Sequence, residues 1–221
     1  MEKHIVKVLA TAFVTHNVKR FVVEKPAGYT YAPGQATDVA LNSPDLINEL
    51  RPFTFTSPQD ADHLEFIIKI YKGHNGVTEQ LAKVEAGDEL VIHDVFGAIA
   101  YKGPGVFIAG GAGITPFIAI FRQLKASGQL AGNTLLLANH TIADIILQDE
   151  LKSLLGEHYI DIIRTPPFGN AKRLIDKELL DACILEDTTH YYICGPETFT
   201  SDMIGMLHDL NVGDEQIVIE Q

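Results

Sequence analysis

The chain has 221 residues, 46% apolar and 21% charged, with 17 Lys and Arg against 29 Asp and Glu for a formal net charge of -12. This balance excludes a disordered chain, and the acidic excess argues against nucleic-acid binding, which needs clustered cations to displace counterions from phosphates. The longest apolar runs, 106–109 and 134–138, are strand-sized, and Met1-Glu2-Lys3-His4 is no basic region ahead of an apolar stretch, so neither a membrane span nor an export signal is expected. Two cysteines, Cys183 and Cys194, make neither a disulfide framework nor a metal-ligand set. They fit a reducing cytosol, and a cytoplasmic monomer without bound metal is the expectation.

Residues 4–97 read as all-β. His4–Thr15 and Val18–Glu24 flank a His16-Asn17 turn, and 64–71 alternates through Phe66, Ile68 and Ile70. Turn signals at Pro26-Ala-Gly28, Ala32-Pro-Gly34, Ser57-Pro58, Gly73 to Gly76 and Ala86-Gly87-Asp88 give the rhythm of a small barrel. One stretch breaks it: Val77, Leu81 and Val84 stand at helical spacing after Asn75-Gly76, so a short helix opens there as a possible anion site. Beyond the Lys102-Gly103-Pro104-Gly105 linker, strands (106–109, 134–138, 159–163, 190–194, 216–219) alternate with helices (116–125, 148–155, 176–185, 197–210). That alternation predicts a parallel sheet covered on both faces. The expected architecture is therefore an N-terminal antiparallel β-barrel, 1–102, followed by a C-terminal α/β domain, 103–221.

The stretch Gly105-Val-Phe-Ile-Ala-Gly-Gly-Ala-Gly-Ile-Thr-Pro116 runs an apolar strand into glycines and straight into an apolar helix. With Gly110, Gly111 and Gly113 lacking side chains, backbone N–H groups can approach an anion at the positive end of that helix. Pro116 stands where the third glycine of a G-x-G-x-x-G fingerprint belongs; with Thr115 as N-cap, it takes the first helical position, where its missing N–H costs nothing. An ordinary strand-to-helix turn has the same composition, so the neighbours decide. Ligands bind open α/β sheets beyond the carboxyl ends of the strands, which predicts that Cys194-Gly195-Pro196 meets the glycine turn there.

With these motifs in this order, preceded by Arg51-Pro52-Phe53-Thr54 and Gly76-Val77-Thr78, the chain resembles the ferredoxin-NADP reductase family over nearly its whole length. Smaller members of that family include cytochrome b5 reductase and flavodoxin reductase. The resemblance implies a flavin on the barrel, FAD with FMN as the alternative, NADH or NADPH on the α/β domain, and hydride passed between them. It implies that Arg51 pairs with a flavin phosphate, that Pro52 and Phe53 border the ring system, and that the Thr54 hydroxyl reaches flavin N5. Phe53 departs from the usual tyrosine and loses its hydroxyl. Gly76, Val77 and Thr78 would hold the flavin phosphates, with Lys69 and Tyr71 alongside. Gly111, Gly113, Thr115 and Pro116 would form the nicotinamide-nucleotide turn, with Cys194, Gly195 and Pro196 as its partner. Thr54 and Cys194 are the residues implied nearest the reaction, and Glu220 resembles a C-terminal glutamate near the nicotinamide. Without the resemblance, Phe53 and Phe55 read as core residues beside a surface Arg51, Cys194 as a strand-end thiol, Cys183 as core, and Pro33-Gly34-Gln35 as a plain turn.

The resemblance leaves the nucleotide and the acceptor open. Asn139-His140-Thr141 and Asp144 follow the second α/β strand without an arginine and resemble NADH users, while Arg164, Lys172 and Arg173 could reach the 2′-phosphate of NADPH. The implied acceptor is a small electron carrier such as flavodoxin or ferredoxin, or an oxygenase component. Such carriers are usually acidic, so docking would need a local basic patch framed by Arg51, Lys69 and Lys72. Two further readings are a regulatory or electron-transfer subunit with little turnover of its own, and a nucleotide-binding scaffold without flavin.

Overall fold

The computed structural model describes residues 2–73, 76–97, 99–165, 174–184 and 190–220. Six strands, β1 (His4–Thr15), β2 (Val18–Glu24), β3 (Ala36–Leu41), β4 (Arg51–Thr54), β5 (His63–Lys69) and β6 (Glu89–Phe96), form an antiparallel sheet in the order β4-β3-β6-β1-β2-β5. An antiparallel bridge between Phe55, just past β4, and Phe66 on β5 closes the sheet into a barrel. Alternation explains the filling: Leu64, Phe66 and Ile68 point into the barrel core with Phe21, Val23, Phe55 and Ile92. A short helix, α1 (Val77–Leu81), contributes Val77, Leu81 and the following Val84 to the same core. Lys19, 5% exposed, fastens the far end of α1 by donating to the carbonyls of Ala82 (2.9 Å) and Val84 (2.6 Å).

The second half is a parallel sheet in the order β11-β10-β7-β8-β9, with β7 (Gly105–Gly110), β8 (Thr134–Asn139), β9 (Tyr159–Ile163), β10 (His190–Cys194) and β11 (Ile217–Ile219). Helices α2 (Thr115–Ala126) and α3 (Gln148–Leu155) cover one face, where Phe107 and Ala109 lie; α4 (Lys177–Ala182) and α5 (Glu197–Asp209) cover the other, where Val106 and Ile108 lie. Burial on both faces accounts for the unbroken apolar runs of these strands. The expected boundaries hold to within about two residues. The exception is the helix expected over 176–185, which ends at Ala182, with Leu185 outside the described residues. The linker is tied down by the Tyr192 phenol, which accepts from the N–H groups of Lys102 and Gly103 and donates to the Gly103 carbonyl at 2.7 Å.

The two halves share a seam. Val18 and Ile67 point outward from the barrel and join Ile99, Ile120 and Phe121 in one buried cluster, so β5 is buried on both faces. Beside them Arg122 on α2 donates from Nη1 to the Thr56 carbonyl (2.8 Å) and to Glu65 Oε1 (2.7 Å), and from Nε and Nη2 to Glu150 on α3 (2.6 and 2.8 Å). Glu65, 1% exposed, also accepts from Arg20 Nε (2.5 Å) and the Thr56 hydroxyl (2.7 Å). Two cations and two anions thus balance at the seam.

Burial alone would raise the Glu65 pKa, but the charge and hydrogen bonds of Arg122, the Thr56 hydroxyl and Arg20 outweigh it, leaving it below its ordinary 4.5. Stabilisation from this group is therefore complete above that ordinary value and is lost as pH falls through the depressed folded one. Glu65→Gln is expected to cost about 3 kcal/mol at neutral pH, as removal of one partner from a buried ion pair does. It should also flatten the acid limb of the melting temperature against pH. Calorimetry of both proteins from neutral to acid pH checks this; parallel acid limbs would contradict it.

Candidate functional site

From β7 the chain steps outward through β8 and β9, then returns to β10 and β11 on the other side of β7. The order therefore reverses between β7 and β10, and the crevice at their carboxyl ends is where an open α/β sheet binds ligands. Cys194 pairs with Ala109 in register, so Cys194-Gly195 and Gly110 to Gly113 do meet there. Gly111–Ile114 form one 3-10 turn that runs directly into α2. Here the expectation for Thr115 is corrected: it is the first residue of the α-helix, not its cap, and its hydroxyl donates to the Ala112 carbonyl at 3.1 Å. The 3-10 turn supplies the preceding hydrogen bonds, so no side chain has to cap. Pro116 sits buried in the first turn, which contains no acidic residue, while Lys125 lies in the last; the positive end of α2 opens on the crevice.

The glycines have different reasons to be glycine. Gly111 has φ +56° and open space where a side chain would stand. A Cβ on Gly113 would stand 2.5 Å from the Cys194 carbonyl carbon and 2.7 Å from the Gly195 nitrogen. One on Gly195 would meet the Phe199 ring at 2.7 Å and Gly110 Cα at 3.2 Å, and one on Gly110 would meet the same ring at 3.0 Å. Gly110, Gly113 and Gly195 thus let two backbone turns interlock beneath Phe199, and Gly111 is the glycine turned outward. Pro196 is the N-cap residue of α5. Burial, with a smaller contribution from the Glu220 carboxylate, pushes the Cys194 thiol up to about 12, so it is a thiol and not a thiolate at neutral pH. Glu220 therefore lies near Cys194, on the same side of the crevice. Cys183 caps α4 and packs half-buried on the core behind the sheet.

On the barrel, Ala36 pairs with Thr54 on one side and Phe96 on the other, so the three side chains share the outer face of the sheet. Thr54 is half-buried, its hydroxyl without a partner among the described residues, and Phe96 is 40% exposed. Arg51 and Pro52 are exposed. Among the described residues the Arg51 guanidinium holds only the Leu50 carbonyl (2.6 Å) and exposed Glu49 (3.5 Å), a pair weak enough to exchange for a bound anion. Phe53 lies half-buried against the barrel core and Phe55 is fully buried, so the alternation that Phe53 and Phe55 show in the sequence is a core pattern. Val77 is likewise a core side chain, 3% exposed, between half-buried Gly76 and Thr78. The Thr78 hydroxyl accepts from the Tyr71 N–H at 3.4 Å, and the Lys69 ammonium lies 5.8 Å from the Tyr71 ring centre. Lys69 and Tyr71 thus line one depression with His16, Asn17 and Lys72, and Thr78 joins them through its bond to Tyr71.

At the end of β8, Asp144 is already engaged. One oxygen accepts from the Thr141 N–H (2.9 Å) and hydroxyl (2.7 Å), and the other faces His16 at 3.7 Å. Burial acts to raise its pKa, and the Thr141 bonds with the charges of His16 and Lys69 reverse that and lower it. Asn139 differs: 7% exposed, it holds a buried Nδ2 with no partner among the described residues. Its carbonyl accepts from the N–H of exposed Arg164 at 2.9 Å. Lys172 and Arg173 lie outside the described residues.

Sequence reasoning passed over Phe96, Phe199 and Arg122. For Phe96 the signal was an aromatic ending a strand immediately before Gly97; Phe199 and Arg122 carried none beyond helical spacing.

Residues 6–101 match the oxidoreductase FAD-binding domain, and residues 107–204 match the oxidoreductase NAD-binding domain. The chain belongs to the ferredoxin-NADP reductase-like oxidoreductases. Human NADH-cytochrome b5 reductase 1 is 30% identical over 71% of this chain and 62% of its own. The reductase component of propane 2-monooxygenase from Mycolicibacterium goodii is 24% identical over 87% of this chain and 59% of its own. The chain thus spans about three fifths of these relatives' length. In fold it is similar to a ferredoxin NADP+ reductase from Neisseria gonorrhoeae with bound FAD and NADP (TM-score 0.82, 20% identity, 99% of this chain and 98% of that one). It is equally similar to the FAD/NAD-binding domain of nitric oxide dioxygenase from Vibrio cholerae (TM-score 0.83, 22% identity, 97% and 96%). Family membership makes the chain an FAD- and NAD(P)-binding oxidoreductase, and no helix among the described residues is long and apolar enough to cross a membrane.

Gly113→Ala should push the two turns apart, giving folded protein that retains FAD and binds nicotinamide nucleotide weakly. Equilibrium titration with NADH and NADPH checks this, and wild-type affinity would contradict it.

Proposed function

We propose that the chain is a flavin-dependent NAD(P)H reductase that passes electrons to a small carrier protein or an oxygenase component, with the barrel (1–102) holding FAD and the α/β domain (103–221) the nucleotide. The observation that carries this reading is the reversal point between β7 and β10, walled by the interlocked turns at Gly113 and Gly195 and lying in a fold whose barrel presents unpartnered Thr54. With both cofactors bound, the chemistry supplied is hydride transfer from reduced nicotinamide to flavin, then release of electrons to an acceptor. The donor set fits them. Arg51 offers a guanidinium fork to a flavin phosphate, and the Gly76–Thr78 backbone at the start of α1 offers N–H groups. Thr54 directs a hydroxyl at the flavin ring, with exposed Pro52 next to it, while Phe53 packs on the core side of the same strand. Gly111 presents its backbone to the dinucleotide phosphates at the end of α2, with Thr115 and Pro116 shaping the turn. Cys194, as a thiol, packs and orients at the nicotinamide and transfers no proton, and Glu220 borders it. Such a site needs no acid–base pair, since its task is to hold two rings at near-attack distance and exclude water.

NADH is the proposed donor, because 139–150 resembles NADH users. NADPH is the second reading: Arg164 is exposed, and its backbone N–H bonds the Asn139 carbonyl at the end of β8. The acceptor class follows from relatives described as a reductase component and as a cytochrome b5 reductase. We place the protein in the cytoplasm as a monomer.

Purified yellow protein, mixed anaerobically with each nucleotide, is expected to bleach, faster with NADH. A flavin that neither nucleotide bleaches would leave an electron-transfer subunit without turnover, and a colourless protein that cannot be reconstituted would leave a scaffold. Arg51→Ala should lose FAD on dialysis, and Thr54→Ala should keep it but reduce it about tenfold more slowly, the worth of one hydrogen bond. Full FAD occupancy in the first or a wild-type rate in the second contradicts the assigned role.

A further inference from the structure

Helix α2 starts at the glycine turn and, about two helical turns on, presents Arg122. Glu150 grips this guanidinium from within the α/β domain with a bidentate pair through Nε and Nη2, which fixes the plane of the fork and leaves Nη1 to cross the seam. Nη1 then takes two acceptors on the barrel, the Thr56 carbonyl and Glu65 Oε1. Thr56 lies two residues beyond Thr54; Glu65 lies on β5, four residues before Lys69. One side chain therefore joins the helix that carries the nucleotide turn to both barrel segments that lead to the proposed flavin residues. The apolar part of the seam, Val18, Ile67, Ile99, Ile120 and Phe121, supplies attraction without direction. The planar fork with four fixed acceptor atoms supplies direction.

We propose that Arg122 is a positioning residue that fixes the angle between barrel and α/β sheet, and with it the approach of the nicotinamide to the flavin. The proposal rests on the reductase reading. It separates alignment from binding: every group proposed to touch FAD or the nucleotide remains when Arg122 is replaced.

The test compares wild type, Arg122→Met and Arg122→Lys. In calorimetry without nucleotide, wild type should unfold in one transition and Arg122→Met in two, as the halves lose their coupling. With nucleotide, Arg122→Met should keep its FAD and its dissociation constant for NADH, lose the long-wavelength charge-transfer absorbance of stacked rings, and reduce flavin on the order of 10²-fold more slowly at saturation, as a misplacement of about 1 Å can do. Arg122→Lys keeps the charge without the fork and should fall between the two, about tenfold slow. It carries both readouts if the methionine variant does not fold. A folded variant with a single transition and the wild-type rate overturns the proposal, as does a loss confined to nucleotide affinity. If wild-type flavin is not bleached by either nucleotide, the reductase reading fails, while the calorimetric coupling still stands or falls by itself.

Discussion

The Arg122–Glu65 ion pair is the constraint on which the geometry of the cleft depends. Glu65 is buried almost completely, and an isolated carboxylate there would be expelled or protonated. It remains charged because Arg122, Arg20 and the Thr56 hydroxyl satisfy its oxygens, and Arg122 in turn is oriented by Glu150. Buried ion pairs add little net stability over apolar residues of the same size, because desolvation offsets the Coulombic gain. Their contribution is specificity: the apolar seam would tolerate sliding, whereas these acceptors admit one arrangement.

The crevice itself depends on backbone proximity. At Gly113, Gly195 and Gly110 the chain gives up side chains so that the turn after β7 and the turn after β10 can touch, with Phe199 as the lid on their contact. The one glycine left facing outward, Gly111, has a left-handed conformation and open space beside it. Cys194 is held in this contact as an un-ionised thiol.

Much of this architecture was legible in the sequence because its signals are local. The period of two in 64–70, the alternation of strands and helices after Gly105, and the Gly111-x-Gly113-x-x-Pro116 turn each depend on residues within a dozen positions of one another. What was not legible depends on distance in the chain. Arg122 and Glu65 are 57 residues apart, and nothing in either neighbourhood marks them as partners. Ile67 breaks the simple inside–outside alternation of β5 only because a second domain covers the barrel there. Val77 and Phe53 sat inside motifs whose resemblance pointed to a ligand, yet their side chains turn to the core, because a short helix and an edge strand must still contribute to the barrel filling. Thr115 looked like a helix cap, since no local rule announces the 3-10 turn ahead of it.

The central claim is direct hydride transfer across this cleft, from nicotinamide held at the β7–β10 reversal to flavin held on the barrel. The most direct measurement is single-turnover, anaerobic flavin bleaching at saturating nucleotide, comparing protiated NADH with its two C4-monodeuterated stereoisomers. One stereoisomer should slow bleaching several-fold while the other has little effect, because the cleft presents one face of the ring to the flavin. Equal rates for all three nucleotides would contradict it.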